Sequence, residues 1–578
     1  MIMSAIRHAH QHIKPAYAVG VCLFTLVVQG VSQDNPYRYR EQKKLRCEKA
    51  AVVSAHPLAS MAGLQVMQQG GNAFDAAIAT QLALAVVYPG AGNLGGGGFL
   101  VAYQQNGSSL ALDYREKAPS KAHAQMYLDA QGNVIPALST EGHLAAGIPG
   151  TPAGLAATLP YAKLPLHRLA ASAIRFAEKG FAITARQAQE LNQWQDAFRS
   201  HSTRPTAFVR NRSWQAGDTL IQPELAATLR RLVRDGLPSF YTGITAKYIA
   251  EEMQRGKGWI TLDDLRSYRC IKRKALRGQY RSYPIVTMPL PSSGGIILLQ
   301  VLGMLEHHPL QRWGFMHPTT IHYYIEACRR AFADRASFLG DADFVRVPVN
   351  ALLRPSYIAS RGSTIHPYQA DSSRAIGAGT PTESEETTHI SIVDRWGNAV
   401  AVTTTLNGSY GSYTVVGGAG FLLNNEMDDF STKPGVPNLY GAIGSTANAI
   451  APGKRMLSSM TPTIVLKNNQ PWIITGTPGG TTIPTTVIQT LIQLIDFQRS
   501  PEEVVQAPRI HHQWLPDRVD HEAGIPPAIL DSLRLRGHRL QQREQIGRLE
   551  LIQVTQQAGK RWVDAVADRR GNDDARGY

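Results

Sequence analysis

A threonine hydroxyl attacks a carbonyl effectively only when a base accepts its proton, and a free α-amine, with an ordinary pKa of about 7.7 to 8.0, suits that task near neutral pH. Only a chain terminus carries one. Residues 368–386 are rich in Ser, Thr and Gly and poor in apolar side chains, the composition of an exposed linker, and at Thr387 the sequence changes to β-branched strand. Cutting the chain there would give Thr387 a free amine. In the uncut chain that nitrogen is an amide, so the same hydroxyl must first attack the Glu386 carbonyl. A second chemical signature is Pro478, Gly479 and Gly480, where missing side chains let backbone amides approach a ligand. Two amides aimed at one point form an oxyanion hole, although a plain tight turn explains the same residues equally well.

These residues need elements to position them. Residues 387–393 and 399–405 are both rich in β-branched types, with the turn set Asp394, Arg395, Trp396, Gly397 and Asn398 between them, which predicts a hairpin. A turn centred on Trp396 places Thr405 opposite Thr387, with β carbons about 5 Å apart, so Thr405 can orient the Thr387 hydroxyl. Taken singly, both are ordinary strand threonines. Upstream, residues 59–69 predict a helix ended by Gly70 and Gly71, and Asn72 starts a second, nearly all-apolar helix running to Val87, hence a buried one. The glycine-rich residues 92–98 lack a following Lys-Ser/Thr pair and read as close backbone packing before a strand over residues 99–103, not as a phosphate loop. Residues 150–350 read mostly as covering helix, including 166–179 and 321–333.

Several motifs in order resemble the gamma-glutamyltranspeptidase family. Thr387, Thr388, His389, Asp394, Gly397, Asn398 and the run from Thr403 to Asn407 resemble the start of its small subunit. Asn424, Asn425, Met427, Asp428 and Asp429 resemble its NNxMDDF segment, and Lys433, Pro434, Gly435, Val436 and Pro437 the start of its lid loop. Leu457, Ser458, Ser459 and Met460 resemble its LSSM motif, and Pro478, Gly479 and Gly480 its PGG motif. Asp113, Tyr114, Arg115, Glu116, Ala118 and Pro119 resemble its substrate-arginine motif, and residues 92–98 and 291–295 its other large-subunit signatures. The likeness covers nearly everything from about residue 47 to the C-terminus. Departures are Glu426, where bacterial relatives often carry glutamine, and Arg569, where a proline usually precedes the arginine at Arg570.

The resemblance implies an α+β fold, the four-layer αββα sandwich of N-terminal-nucleophile hydrolases, formed jointly by two chains after self-cleavage. It implies a leader over residues 1–32, a large subunit over 33–386 and a small subunit over 387–578. Thr387 would take a gamma-glutamyl group from glutathione or another gamma-glutamyl donor as an ester and pass it to an amino acid, a peptide or water, with no cofactor. Such a donor presents an α-carboxylate and an α-ammonium, so its site needs both signs of charge. Arg115 can grip the carboxylate with two parallel hydrogen bonds, Ser458 and Ser459 can add hydroxyl donors, and Asn407, Glu426 and Asp429 can accept from the ammonium. Without the family, Arg115 would read as a surface ion pair and Asp429 as a turn or cap residue. Tyr440, among the glycines and prolines of residues 433–454, suits a lid with an aromatic contact over a small donor. Two rival readings are a related acylase acting on cephalosporin side chains or poly-gamma-glutamate, and an exported binding protein that has lost catalysis.

Composition narrows the remaining classes. The chain has 578 residues, 43% hydrophobic and 18% charged, within the range of ordinary globular proteins. A net charge of +15 invites a nucleic-acid reading, but basic residues are scattered among acidic ones. The local runs, Lys272, Arg273, Lys274 and Arg277, and Arg329 with Arg330, are short enough to read as solvated faces, so no nucleic-acid partner is expected. Arg7, His8, His10, His12 and Lys14 precede an apolar run over residues 16–28, a secretory leader pattern that predicts export, most simply to a periplasm, with an uncleaved anchor as the alternative. His307 with His308 and His511 with His512 are adjacent pairs without ligand spacing, so no metal is expected, and His389 reads as a packed strand residue.

Overall fold

A computed structural model describes residues 39–376, 387–433, 435–438, 441 and 444–578. The expected leader, Glu386 and the lid residue Tyr440 lie outside the described residues. Two seven-stranded sheets organise the rest. The first runs, edge to edge, Lys44–Cys47, Lys560–Ala567, Glu550–Gln557, Gln470–Gly476, Thr463–Lys467, Tyr283–Thr287 and Leu276–Tyr280. The second runs Asp574–Gly577, Ala51–Ser54, Thr388–Val393, Ala399–Thr405, Gly97–Tyr103, Ser109–Tyr114 and Ile271–Arg273. Every pairing in both is antiparallel.

Side-chain alternation along the strands explains the layering. In the hairpin, Ile390, Ile392, Val400 and Val402 point into one core with the helices Pro57–Gln68, Ala73–Val87 and Leu166–Lys179. The intervening Val393, Ala399 and Ala401 point into a second core shared with Val286, Ile464, Ile474 and Ile552 of the other sheet. On the far face of that sheet, Val465 and Ile473 pack with the helices Gly294–Glu306, Pro318–Phe338 and Thr482–Ile495. The order is therefore helix, sheet, sheet, helix, the αββα sandwich. Both sheets combine strands from before and after residue 387, so the two parts of the chain form one intertwined unit.

The register of the hairpin agrees with the turn centred on Trp396: Thr388 pairs with Thr404 and His389 with Thr403, with the strand beginning one residue after Thr387. The all-apolar second helix is buried along its whole length and starts with a capping box between Asn72 and Asp75. Other boundaries shift outward: the first helix spans Pro57–Gln68, the strand after the glycines starts at Gly97, and the helix expected over 321–333 extends over Pro318–Phe338.

Two expectations need correction. The middle of the chain is not only helix, because Ile271–Arg273, Leu276–Tyr280 and Tyr283–Thr287 are edge or near-edge strands whose short, mixed polar sequences carry little periodicity. The basic runs are also not simply solvated. Arg329 and Arg330 are buried against Glu326 of their own helix and against Asp517 and Asp371, and Arg273 bridges Asp113 and Asp343. Counter-charges distant in sequence make that burial tolerable. Near the C-terminus, Arg569 is exposed, whereas Arg570 donates to Glu522 and Asp568 and to the carbonyls of Val505 and Ala507.

The glycine-rich segment lies flush against the strand Ala399–Thr405, whose end faces Thr387. A Cβ at Gly96 would overlap the Thr405 carbonyl, one at Gly98 the Thr403 carbonyl and one at Gly95 the Leu422 carbonyl, so close backbone approach accounts for these glycines. By contrast, a Cβ at Gly362 would meet nothing closer than Met304 Cγ at 3.5 Å. Gly96→Ala should therefore destabilise the protein by about 2–3 kcal/mol through backbone displacement, while Gly362→Ala should stay within about 1 kcal/mol of the parent. Urea unfolding followed by near-ultraviolet circular dichroism compares the two. Equal stability of both variants would show that the glycine segment has room to spare.

Candidate active site

The end of the hairpin places Thr387 at the edge of a buried pocket. Its hydroxyl lies 3.5 Å from that of Thr405, the outer limit of a hydrogen bond, and the Thr405 hydroxyl accepts from the Asn407 backbone amide at 2.8 Å. Both threonines are buried. Asn407 has a positive φ of 74° and its side-chain amide donates to the Asn425 carbonyl at 3.0 Å, which turns the chain from the strand end toward the Glu426–Asp429 helical turn. The neighbouring His389 is fully buried between Thr403 and Ser391, at 2.9 and 3.2 Å, and burial lowers its pKa to about 3. It is a neutral packed residue, as its position suggested.

Across the pocket lies Arg115, just past the end of the strand Ser109–Tyr114. Its guanidinium donates to Glu426 through Nη1 and to Asp429 through Nη2, and reaches the carbonyls of Met456 at 3.3 Å and Leu457 at 3.4 Å. Glu116 adds a third carboxyl, 3.6 Å from Nη1. Burial pushes all three acids above their ordinary range, and the arginine between them pulls in the opposite direction. Arg115 is thus a buried, well-partnered cation and not a surface ion pair. Asp429 is steadied in turn by Asn438, whose side-chain amide donates to Oδ1 at 2.9 Å, and by Asn448, which donates to its carbonyl at 2.7 Å.

A third wall comes from the segment around Ser458 and Ser459. The Ser458 carbonyl accepts from both the amide and the hydroxyl of Ser293, at 2.8 and 2.7 Å, which ties residues 291–295 to this wall. Gly480 and Thr481 close the pocket beside Thr387, immediately before the helix Thr482–Ile495. Gly479 lies behind them, with its carbonyl accepting from the Thr482 amide at 2.8 Å and hydroxyl at 2.7 Å. The structure therefore gathers Thr387, Thr405, Asn407, Arg115, Glu426, Asp429, Ser458, Ser459 and Gly480 around one cavity of about 20 Å³, room for about one water. Gly479 is adjacent to that wall without lining it.

Sequence reasoning gave no site role to five lining residues: Arg335, Asn438, Met460, Thr481 and Ile483. Arg335 is the most consequential, because it is a second buried cation. Its helix carries Glu326, Arg329, Arg330, Asp334 and Arg335 at buried positions, and charge on a face that should cover a core was the available signal. Chemically, the pocket offers the Thr387 hydroxyl, the start of the helix Thr482–Ile495 and charges of both signs.

Comparison with known proteins agrees with this arrangement. The sequence profile of the family described as Gamma-glutamyltranspeptidase matches residues 59–578. A glutathione hydrolase proenzyme from Escherichia coli (strain K12) is 43% identical over 515 residues, covering 88% of this chain and 89% of its own. The crystal structure of a cephalosporin acylase from Bacillus halodurans superposes with a TM-score of 0.82 at 26% identity, covering 95% of this chain and 99% of that one. That of the Helicobacter pylori gamma-glutamyltranspeptidase superposes with a TM-score of 0.53 at 43% identity, covering 58% and 94%. With the family profile extending over nearly the whole chain and over every wall of the pocket, this protein belongs to the gamma-glutamyltranspeptidase family.

Proposed function

We propose that this protein is a self-processing gamma-glutamyltranspeptidase that cleaves glutathione and related gamma-glutamyl compounds. The observation that carries this reading is the placement of Thr387, at the end of a linker, in the wall of a buried pocket that also holds Arg115, Glu426 and Asp429. In maturation, the Thr387 hydroxyl attacks the Glu386 carbonyl, the acyl group moves from nitrogen to oxygen and so frees the Thr387 amine, and water then hydrolyses the ester, leaving Glu386 as a carboxylate and restoring the hydroxyl. In turnover, that amine accepts the hydroxyl proton while the oxygen attacks the γ-carbonyl of the donor. The leaving amine takes up the proton as the carbon–nitrogen bond breaks. An amino acid, a peptide or water then attacks the threonyl ester and regenerates the hydroxyl. Backbone amides of the Gly479–Gly480 turn, at the start of the helix Thr482–Ile495, are assigned to the oxyanion, where one donor is worth about 3 kcal/mol.

Donor recognition is an exchange of partners. In the free site, Arg115 and the acids satisfy one another, so these charges are buried as a cluster. An arriving donor supplies an ammonium for Asp429 and Glu426, with Asn407 beside them, and an α-carboxylate for Arg115, Ser458 and Ser459. The lid role of Tyr440 belongs to the same reading. The basic and apolar leader supports export, with residues 33–386 and 387–578 as the mature chains. Among the described residues no helix is long and apolar enough to cross a membrane.

Three outcomes are expected. The purified mature protein contains two chains, the smaller beginning at Thr387 and ending at Tyr578, as N-terminal sequencing and intact mass would reveal; a single active chain would sink the mechanism. Thr387→Ala remains one chain and is inactive, because both reactions need the same hydroxyl, and normal turnover by that variant would remove Thr387 from the role. Asp429→Asn matures normally but loses at least about tenfold in kcat/KM on glutathione, since removing one partner of a desolvated charge pair costs about 2–5 kcal/mol. A glutaryl amide, which lacks the ammonium, should lose much less. An equal fall on both donors would mean that Asp429 supports the fold and does not read the substrate.

A further inference from the structure

Among the buried arginines around the pocket, Arg335 stands apart. Arg329 and Arg330, on the same helix, are paired with Glu326, Asp517 and Asp371, and Arg115 faces Glu426, Asp429 and Glu116. Arg335 makes no ion pair among the described residues. Its side-chain bonds go to hydroxyls: Nε donates to Ser293 Oγ at 3.1 Å and Nη2 to Ser459 Oγ at 3.5 Å. Yet it is buried and lines the cavity beside Thr387. A guanidinium held out of water without a counter-ion is costly, and burial lowers its pKa to about 10 even with the field of Asp429 nearby.

The surroundings fix this cation in place. Arg335 lies in the last turn of the helix Pro318–Phe338, where the carbonyl end of the helix favours positive charge. Ser293, its Nε partner, also donates its hydroxyl to the Ser458 carbonyl, so one residue couples the arginine to the serine wall. Residues 291–295 lie against that wall closely enough that a Cβ at Gly294 would come 2.7 Å from the Ser459 carbonyl. With the Ser293 proton committed to the Ser458 carbonyl, what faces the cavity is a rigid cation beside Ser458 and Ser459. That is the donor set of a carboxylate receptor.

We propose that Arg335 is a second arginine for the α-carboxylate of the gamma-glutamyl donor, binding it together with Arg115, Ser458 and Ser459. This rests on the transpeptidase reading above. The donor then brings the missing counter-ion, and affinity for the carboxylate end comes from pairing a charge that the free protein leaves unpaired. Arg115 has to share itself with acids that also receive the ammonium; Arg335 has no such competition. The pocket can thus distinguish a donor bearing a free α-carboxylate from one whose α-carboxyl is blocked.

The test compares a gamma-glutamyl anilide with its α-carboxamide counterpart, which keeps the shape and the ammonium but loses the negative charge. Arg335→Gln should lower kcat/KM for the carboxylate donor by at least about tenfold, chiefly through KM, and change the carboxamide donor by no more than about threefold. Arg335→Lys, which keeps the charge but not the planar fork, should retain an intermediate preference. Where Arg335→Gln fails to mature, the lysine variant decides alone: a weakened preference supports the proposal and an unchanged one overturns it. An equal loss on both donors would make Arg335 a structural residue. A parent protein that turns over neither donor would overturn the transpeptidase reading and this proposal with it, whereas an active parent with an unshifted donor ratio in the variants would overturn this proposal alone.

Discussion

The pairing of Thr388–Val393 with Ala399–Thr405 is the constraint from which the rest of the site follows. It fixes the residue before the strand, Thr387, against Thr405, and it inserts the strand that follows Thr387 between Ala51–Ser54 and Ala399–Thr405. A nucleophile that must also become a chain end needs such a place. It has to be held firmly from one side by hydrogen bonds that do not pass through the peptide to be cut. The ladder supplies that hold from residue 388 onward, and the glycines at 95–98 let the next strand come close enough to complete it. Thr405 then continues into Asn407 and the acidic turn, so Thr387 and the acidic wall, the proposed nucleophile and the proposed ammonium site, are set by one stretch of chain.

The second organising feature is the management of buried charge. The buried Arg115, Glu116 and Glu426 would be prohibitive in isolation and are tolerable as a cluster with the partly exposed Asp429. The same solution recurs away from the pocket, around Arg329 and Arg330, where every guanidinium has its carboxylates. These networks join residues far apart in the chain and make the helical layer continuous with the sheets. Against that pattern, an arginine that makes no ion pair among the described residues and donates to serines is conspicuous, and the asymmetry has a direction: the pocket has spare positive charge on the serine wall and spare acceptor capacity on the wall of the acids. Glu426 contributes to the latter, with its Oε2 lacking a hydrogen-bond partner among the described residues.

Much of this was legible in the sequence because it depends on local rules. The hairpin register follows from β-branched runs around a single turn, and the buried second helix from an apolar surface on all sides behind an Asn cap. The roles of the motif residues from Arg115 to Gly480 come instead from the family resemblance, and the structure gathers nearly all of them around one pocket. What escaped depends on contacts between distant segments. Nothing in the neighbourhood of Arg335 reveals that Ser293 and Ser459 will meet it, and nothing near Arg329 or Arg330 reveals Asp517 or Asp371. The strands at 271–287 were missed because they are short and mixed in polarity, and gain their identity only by pairing with Ser109–Tyr114 and Thr463–Lys467.

The interleaving of strands has a consequence for the life of the cut protein. Lys44–Cys47 is paired with Lys560–Ala567, Tyr283–Thr287 with Thr463–Lys467, and Ala51–Ser54 lies between two strands from beyond residue 387. Once the peptide bond before Thr387 is broken, the two polypeptides become a heterodimer in name, but their interface is the hydrophobic core itself. They can part only by dismantling both sheets, so the rate of dissociation is the rate of global unfolding. Dilution will not separate them on any shorter timescale, and reassembly from separated chains is a folding problem that the single precursor solved with its termini still tethered. Self-cleavage after folding therefore makes the active form a kinetically trapped product, whose persistence is set by a barrier and not by a binding equilibrium.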